Sequence, residues 1–260
     1  MGILTLTTDF GTSDGYVAEM KGVVLSRAPG TVLVDVTHEI APGDVEEAAR
    51  VLGRIWDRFP AGTVHLVVVD PGVGSDRRPL ALRATDRWMV GPDNGVATRV
   101  LERHRPLAVR ALDPHRCAEG AVSPTFHGRD LFAPAAAHLC SGGRAEALGE
   151  PVEAGSLVRL PVENVIRVGH VVRGRVVHVD RFGNLITNIP GASVAPGARI
   201  EVGGTVVSGV RTAYVHGEPG RPLAVIGSGG TLEISVRDGS AAELLGAGRG
   251  AEVRVEAERG

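Results

Sequence analysis

Short β-branched runs alternate with amphipathic segments through the first half of this chain, and that alternation constrains the fold more than any other feature. Residues 3–8, 31–36 and 64–69 are strand-like, and between them residues 15–27 and 43–59 carry helical apolar spacing, as in Val45, Ala48, Ala49, Leu52 and Ile55. Such alternation implies βαβ units and a largely parallel sheet. Residues 79–84 and 88–90 flank Thr85-Asp86-Arg87 and predict a hairpin, followed by a helix near 96–102, a strand near 107–112 and a helix from about 130 to 140. The character then changes. Residues 171–179, 198–202, 223–226, 232–236 and 252–256 are short valine-rich segments, with a brief helix candidate at 240–245. They predict a smaller all-β, barrel-like domain, sandwich or barrel. The expected division is an α/β domain over residues 1–155 and a β-barrel-like domain over 165–260. The boundary falls between Gly149 and Gly169, where Pro151, Gly155 and Pro161 interrupt any regular pattern.

The 260 residues, 43% of them apolar, suffice for two cores. Charge is nearly balanced at 28 basic against 30 acidic residues, with no basic run, so a nucleic-acid surface is not expected. Lys21 is the sole lysine. Cys117 and Cys140 lack CxxC spacing and a matching histidine cluster, which argues against a disulfide framework and a structural zinc site and leaves two idle thiols. No stretch reaches the ~18 apolar residues of a membrane span, and the opening Met1-Gly2-Ile3-Leu4-Thr5 has no basic flank, so the expected location is the cytoplasm.

In an open parallel sheet ligands bind beyond the carboxyl ends of the strands, which draws attention to acids ending strand-like runs: Asp9, Asp35 and Asp70. A carboxylate at Asp9 can accept from both hydroxyls of a ribose, or it can cap a helix; Asp14 is the better cap of the two. Asp35, His38 and Glu39 form a weaker candidate group, in which a lone histidine is more often structural. Asp70 follows Val67-Val68-Val69, and Gly72 and Gly74 let the backbone turn back toward Arg77. Arginine beside aspartate keeps the carboxylate ionised and can polarise a water, although a loop-bracing salt bridge reads equally well. The glycines form no phosphate loop, since GxxxxGK[ST] is absent. His127, between Phe126 and Gly128 at a predicted helix start, is a base, a water-orienting group or a wall residue. Asp93 and Asn94, in Gly91-Pro92-Asp93-Asn94-Gly95, read first as a structural turn.

Six motifs taken in order carry a resemblance: Thr7-Thr8-Asp9-Phe10-Gly11, Tyr16-Val17-Ala18-Glu19-Met20-Lys21-Gly22, Val69-Asp70-Pro71-Gly72-Val73-Gly74, Gly91-Pro92-Asp93-Asn94-Gly95, Phe126-His127-Gly128-Arg129-Asp130 and Asp180-Arg181-Phe182-Gly183-Asn184-Leu185. Spanning essentially the whole chain, they resemble the S-adenosylmethionine hydroxide adenosyltransferases, adenosylmethionine hydrolases related to fluorinating and chlorinating enzymes. The resemblance implies a homotrimer whose sites lie between one subunit's N-terminal domain and its neighbour's C-terminal domain. It implies that Asp9 holds the ribose hydroxyls, Asp14 and Asp180 the amino group of the methionine part, and Asn184 the adenine. Asp70, Arg77 and His127 match the water-handling triad, and Ser228, in Gly227-Ser228-Gly229-Gly230, loosely matches the region meeting the methionine carboxylate.

The implied reaction is attack of water at C5′, giving adenosine and methionine. Because methionine leaves as a neutral thioether, neither metal nor cofactor is expected. A halogenating activity is the nearest alternative: those relatives carry a tyrosine where Asp70 stands, and the fluorinating enzyme a serine where Gly128 stands. Gly43 replaces an aromatic residue of the halogenating branch, which opens one wall of the sugar pocket. A module that binds adenosylmethionine or adenosine without turnover would need only Asp9, Asp180 and Asn184. A generic nucleotide-binding α/β protein leaves the β-rich C-terminal half unexplained.

Overall fold

The structure is a computed structural model describing residues 2–161 and 164–257, to which all counts below refer. The chain divides into two compact units, Met1–Pro161 and Val162–Gly260. The first contains β1 (Ile3–Thr8), α1 (Tyr16–Arg27), β2 (Val32–Thr37), α2 (Val45–Ile55), β3 (Val64–Val68), β4 (Pro79–Ala84), β5 (Arg87–Pro92), α3 (Thr98–Leu101), β6 (Pro106–Leu112), α4 (Pro114–Cys117), α5 (Ala133–Cys140) and β7 (Gly149–Pro151). Its seven strands form one sheet in the order β2-β1-β3-β5-β4-β6-β7.

This sheet is mixed, which corrects the expectation of a largely parallel one. From β2 to β5 the pairings are parallel. From β5 to β7 they are antiparallel. The cause is the predicted hairpin: Thr85, at φ 55°, turns β4 tightly into β5, and two adjacent strands joined so closely must run in opposite directions.

β3 shows why the sheet sits at the centre. All five of its residues are buried, as expected for a strand covered on both faces. Val64, Leu66 and Val68 join Leu4, Met20 and Phe132 in one core, while Val67 and Val69 join Ala48, Leu52 and Trp56 in another. α2 begins where Asp44 accepts a hydrogen bond from the Glu47 N–H at 2.9 Å, half of a capping box, and buries Ala48, Ala49 and Leu52.

The second unit contains β8 (Ile166–Val168), β9 (Val171–Val179), β10 (Leu185–Pro190), β11 (Arg199–Val202), β12 (Thr205–Ser208), β13 (Val210–Arg211), β14 (Pro222–Ile226), β15 (Thr231–Val236), α6 (Ala241–Leu245) and β16 (Glu252–Glu256). They form a nine-stranded sheet in the order β12-β11-β16-β9-β10-β15-β14-β13, with β8 added to β9. The sheet curls until β12 meets β14, giving a nearly barrel-shaped body around Val176, Leu185, Ile189, Ile200, Ile234 and Val253. Among the described residues no helix is long and apolar enough to cross a membrane.

Candidate active site

β1 connects through α1 to β2 on one side, whereas β3 leads on to β4 on the other, so the connections diverge between β1 and β3 and leave a crevice beyond the strands' carboxyl ends. Asp9 follows β1 directly, and Asp70 stands two residues beyond β3. The crevice is a cleft of about 450 Å³ whose lining includes Asp9, Phe10, Gly43, Asp70, Phe126 and His127. That volume suits a small-molecule ligand.

The loop after β3 reverses twice within eight residues. The Val73 N–H donates to the Asp70 carbonyl at 3.2 Å, and the Ser75 N–H to the Gly72 carbonyl at 3.1 Å. Gly74 has φ +79°, and a Cβ there would stand 2.7 Å from the Pro124 carbonyl oxygen. Only glycine therefore lets this loop lie against the segment that carries His127.

The double reversal returns Arg77 to Asp70. Arg77 Nε donates to both carboxylate oxygens at 2.9 Å, and Nη2 donates to Oδ2. The two side chains are only 9% and 5% exposed, so the pair is largely withdrawn from water. Nη2 also lies 2.7 Å from His127 Nδ1, and the guanidinium carbon stands 5.2 Å from the centre of the Phe132 ring.

These contacts fix the proton on His127. A guanidinium only donates, so Nδ1 must be the acceptor and the neutral ring carries its proton on Nε2. Burial, and then the positive charge of Arg77, hold the imidazole below its ordinary pKa of 6.5. His127 is thus a neutral hydrogen-bond donor at the cleft. It precedes a single π turn, Gly128–Phe132, closed by donation from the Ala133 N–H to the Gly128 carbonyl, a local irregularity common at functional sites. The predicted helix accordingly becomes regular only at Ala133.

Asp9 accepts from the Gly43 N–H through Oδ2 at 2.8 Å. Gly43 is at φ +75°, a conformation that disfavours any larger side chain. Its value here is the aim of its N–H. Pro42-Gly43 is a turn dipeptide in the sequence, but nothing in it marks Asp9 as the partner of that N–H. Phe10, Tyr16 and Phe126 form an edge-on aromatic cluster with centroids 5.4 to 6.0 Å apart. Arg129 stacks on Phe126 at 4.9 Å and binds Asp130 and Glu19.

Several candidates lie elsewhere. Asp14 is exposed and does not cap α1, whose N-cap is Gly15 with no side-chain bond; Asp9 does not cap it either. Asp35 does not end a strand but sits inside β2, where it binds Lys21 at 2.6 Å. His38 bonds the Thr8 hydroxyl at 2.9 Å, and Glu39 is exposed. Asp93 is buried against Arg78 and the Val158 N–H, and Asn94 donates to the Val69 carbonyl at 2.9 Å, bracing the residue before Asp70. Both are structural.

In the second unit, Asp180 and Asn184 share the β9–β10 turn. Asp180 accepts from the Phe182 and Asn184 N–H groups and from the Asn184 side-chain amide, each at 2.9 Å. Ser228 sits in the β14–β15 turn, closed by donation from the Gly227 N–H to the Thr231 carbonyl at 2.9 Å.

Comparison with known proteins agrees over both units. Residues 4–149 match the SAM hydroxide adenosyltransferase N-terminal domain, and residues 174–254 the SAM hydroxide adenosyltransferase C-terminal domain. A protein from Thermus thermophilus named (R)-S-adenosyl-L-methionine hydrolase is 43% identical over 256 residues, covering 95% of this chain and 97% of its own. A fluorinase from Actinoplanes sp. is more distant, 32% identical over 212 residues and covering 72% of this chain and 71% of its own. The crystal structure of an uncharacterized conserved protein from Thermotoga maritima superposes with a TM-score of 0.91 at 35% identity, covering 99% of this chain and all of its own. On these matches to both of its domains, the chain belongs to the SAM hydroxide adenosyltransferase family.

Proposed function

We propose that this protein hydrolyses S-adenosyl-L-methionine to adenosine and L-methionine. The observation that carries the reading is the buried Asp70–Arg77 pair with His127 held neutral beside it at the cleft. The names of the relatives support the substrate, and because they specify the R configuration at sulfur, both sulfur epimers belong in the assay.

In this reading the Asp70 carboxylate accepts a hydrogen bond from the attacking water, and His127 Nε2–H donates one to its oxygen. The oxygen–C5′ bond forms as the C5′–sulfur bond breaks, and the departing electron pair leaves sulfur as a neutral thioether. Positive charge moves onto the oxygen, whose proton becomes strongly acidic. His127 is a poor acceptor, because Nε2 is already protonated and Nδ1 is filled by Arg77. Asp70 takes the proton, since its carboxylate is the remaining acceptor beside the water. Holding the water in line with the breaking bond is worth up to roughly 7–11 kcal/mol in favourable systems. No step requires a metal.

We assign the ribose hydroxyls to Asp9, the methionine amino group to Asp14 and Asp180, adenine to Asn184, and the methionine carboxylate to the turn holding Ser228. These assignments rest on motif match. With them goes a homotrimer in which a neighbour's second domain completes each site, acting in the cytoplasm.

The test is turnover in heavy-oxygen water with chloride present and metals chelated. Adenosine carrying heavy oxygen at C5′, lost in Asp70→Ala, is the expected product. A 5′-halogenated adenosine, or intact substrate despite binding, would overturn the proposal.

A further inference from the structure

The motif around His38 is not used by the chemistry above, yet it surrounds Asp9. β1 and β2 slip by one residue: Leu6 pairs with Asp35, but Thr7 pairs with Thr37. Bulges of this kind often stand next to active sites, where they re-aim the chain. Here the slip delivers His38, 5% exposed, to the end of β1.

His38 then ties the chain on both sides of Asp9. Before it, His38 Nδ1 meets the Thr8 hydroxyl at 2.9 Å; after it, the Gly11 N–H donates to the His38 carbonyl at 2.7 Å. The Thr8 oxygen also accepts from the Phe10 N–H at 3.3 Å. A hydroxyl accepting that bond is free to donate its own hydrogen to Nδ1, leaving the ring proton on Nε2. Nε2 lies 3.1 Å from Asp35 Oδ1, outside good hydrogen-bond alignment, and Lys21 holds the other carboxylate oxygen of Asp35. Carboxylate, imidazole and hydroxyl are thus arranged in series. Thr8 is fully buried, so its hydroxyl cannot reach a substrate, and the series can act only on the backbone that carries Asp9.

We infer that His38, through Thr8 and Gly11, is a positioning residue that aims the Asp9 carboxylate at the ribose 2′- and 3′-hydroxyls of the adenosyl ligand. This rests on the adenosyl reading of the site. The Gly43 N–H holds Oδ2 from the same β2–α2 connection, so backbone and carboxylate are located by one segment.

The experiment compares binding of adenosine and 2′-deoxyadenosine by calorimetry. Wild-type protein is expected to prefer adenosine on the order of tenfold, the value of a hydrogen bond to a charged group, and Asp9→Ala to lose the preference. His38→Gln and Thr8→Val should reduce it to about twofold, while Thr8→Ser, which keeps the hydroxyl, should retain it. A histidine that merely stabilises the fold would lower the melting temperature and leave the ratio unchanged. If Asp9→Ala abolishes the preference but Thr8→Val and His38→Gln keep it, the positioning role is wrong and the ribose reading stands. If wild-type protein treats the two nucleosides alike, or binds neither, the ribose reading of Asp9 falls and this inference with it.

Discussion

Asp70→Ala should destabilise the first unit far more than a surface change would, and a second substitution should reverse that loss without restoring activity. Arg77 is 9% exposed and Asp70 5%, with the guanidinium held between the carboxylate, His127 and the Phe132 ring. Removing the carboxylate leaves a buried cation facing only a neutral imidazole and an aromatic face. Breaking one side of a buried pair costs roughly 3–5 kcal/mol, whereas replacing both members by apolar groups is often close to neutral. In a domain of this size each kcal/mol shifts the melting temperature by about 2–4 °C, so Asp70→Ala should melt about 6–20 °C lower.

Asp70→Ala/Arg77→Met should recover most of that, giving a coupling energy of about 2 kcal/mol or more. Urea unfolding followed by tryptophan fluorescence is the suitable assay, because Trp56 and Trp88 are the only tryptophans and both lie in the first unit. Turnover of adenosylmethionine is measured in parallel and should be absent in both variants. A single variant within about 1 kcal/mol of wild type would mean that the pair is well hydrated, and the case for a water-excluding site would fail. A double variant that is both stable and active would remove the pair from the chemistry.

Four further outcomes are expected. Because burial, and then Arg77, hold His127 below 6.5, kcat should stay flat down to that pH and fall only below it, and His127→Gln should remove that acid limb; a limb at or above 6.5 refutes the neutral imidazole. His65 is fully buried beside Trp56 and Thr5, and burial, then Arg87, lowers its pKa from 6.5 to about 4. The unfolded chain therefore binds the proton first, so stability is intact above pH 6.5 and declines by about 3 kcal/mol as pH falls toward 4; urea titrations at several pH values should show this slope, flattened in His65→Leu. Mixing Asp70→Ala with Asn184→Ala subunits should restore about a quarter of wild-type activity if sites are shared between neighbours, and none if each chain is self-sufficient. Burial pushes the thiols of Cys117 and Cys140 up to about 11 and about 12, so iodoacetamide at pH 8 should label neither in the folded protein and both in urea.

Elements whose signals are local were legible in the sequence. The capped, amphipathic α2 and the 79–92 hairpin fall where periodicity and turn composition place them. Sheet direction was not legible beyond β5, because each pairing there depends on which strand a hairpin sends back, and β-branched runs look alike in either direction. The cores of the site, Asp9, Asp70 and His127, were visible as polar residues where apolar runs break beside glycine. Their partners were not. Gly43 donating to Asp9 and Asn94 donating to the Val69 carbonyl are long-range backbone contacts, and no spacing rule encodes them. Asp14 failed as a cap because the N-cap position of α1 falls one residue later, on Gly15, where no side chain takes the orphan N–H groups.

In the proposed reaction Asp70, Arg77 and His127 bear on which nucleophile the cleft accepts. Asp70 and Arg77 neutralise one another, and the guanidinium faces Asp70 and His127, so an anion arriving beside Asp70 meets a carboxylate whose countercharge is already engaged. At 4 Å and an effective dielectric near 20 an isolated carboxylate would repel it by about 4 kcal/mol, an upper bound that the adjacent guanidinium reduces, whereas a water turns its hydrogen toward the same carboxylate and its oxygen toward Nε2–H. Exchanging Asp70 for tyrosine removes the repulsion but leaves the buried Arg77 unpaired. A serine at Gly128 adds a further demand, since a Cβ there would stand 3.2 Å from Met20 Sδ and 3.3 Å from the Phe126 ring. Neither change is complete alone: the first needs Arg77 to change and the second needs Met20 or Phe126 to yield. In the proposed reaction, therefore, passing from water to halide takes a coupled set of changes, and carboxylate, guanidinium and neutral imidazole in contact favour water.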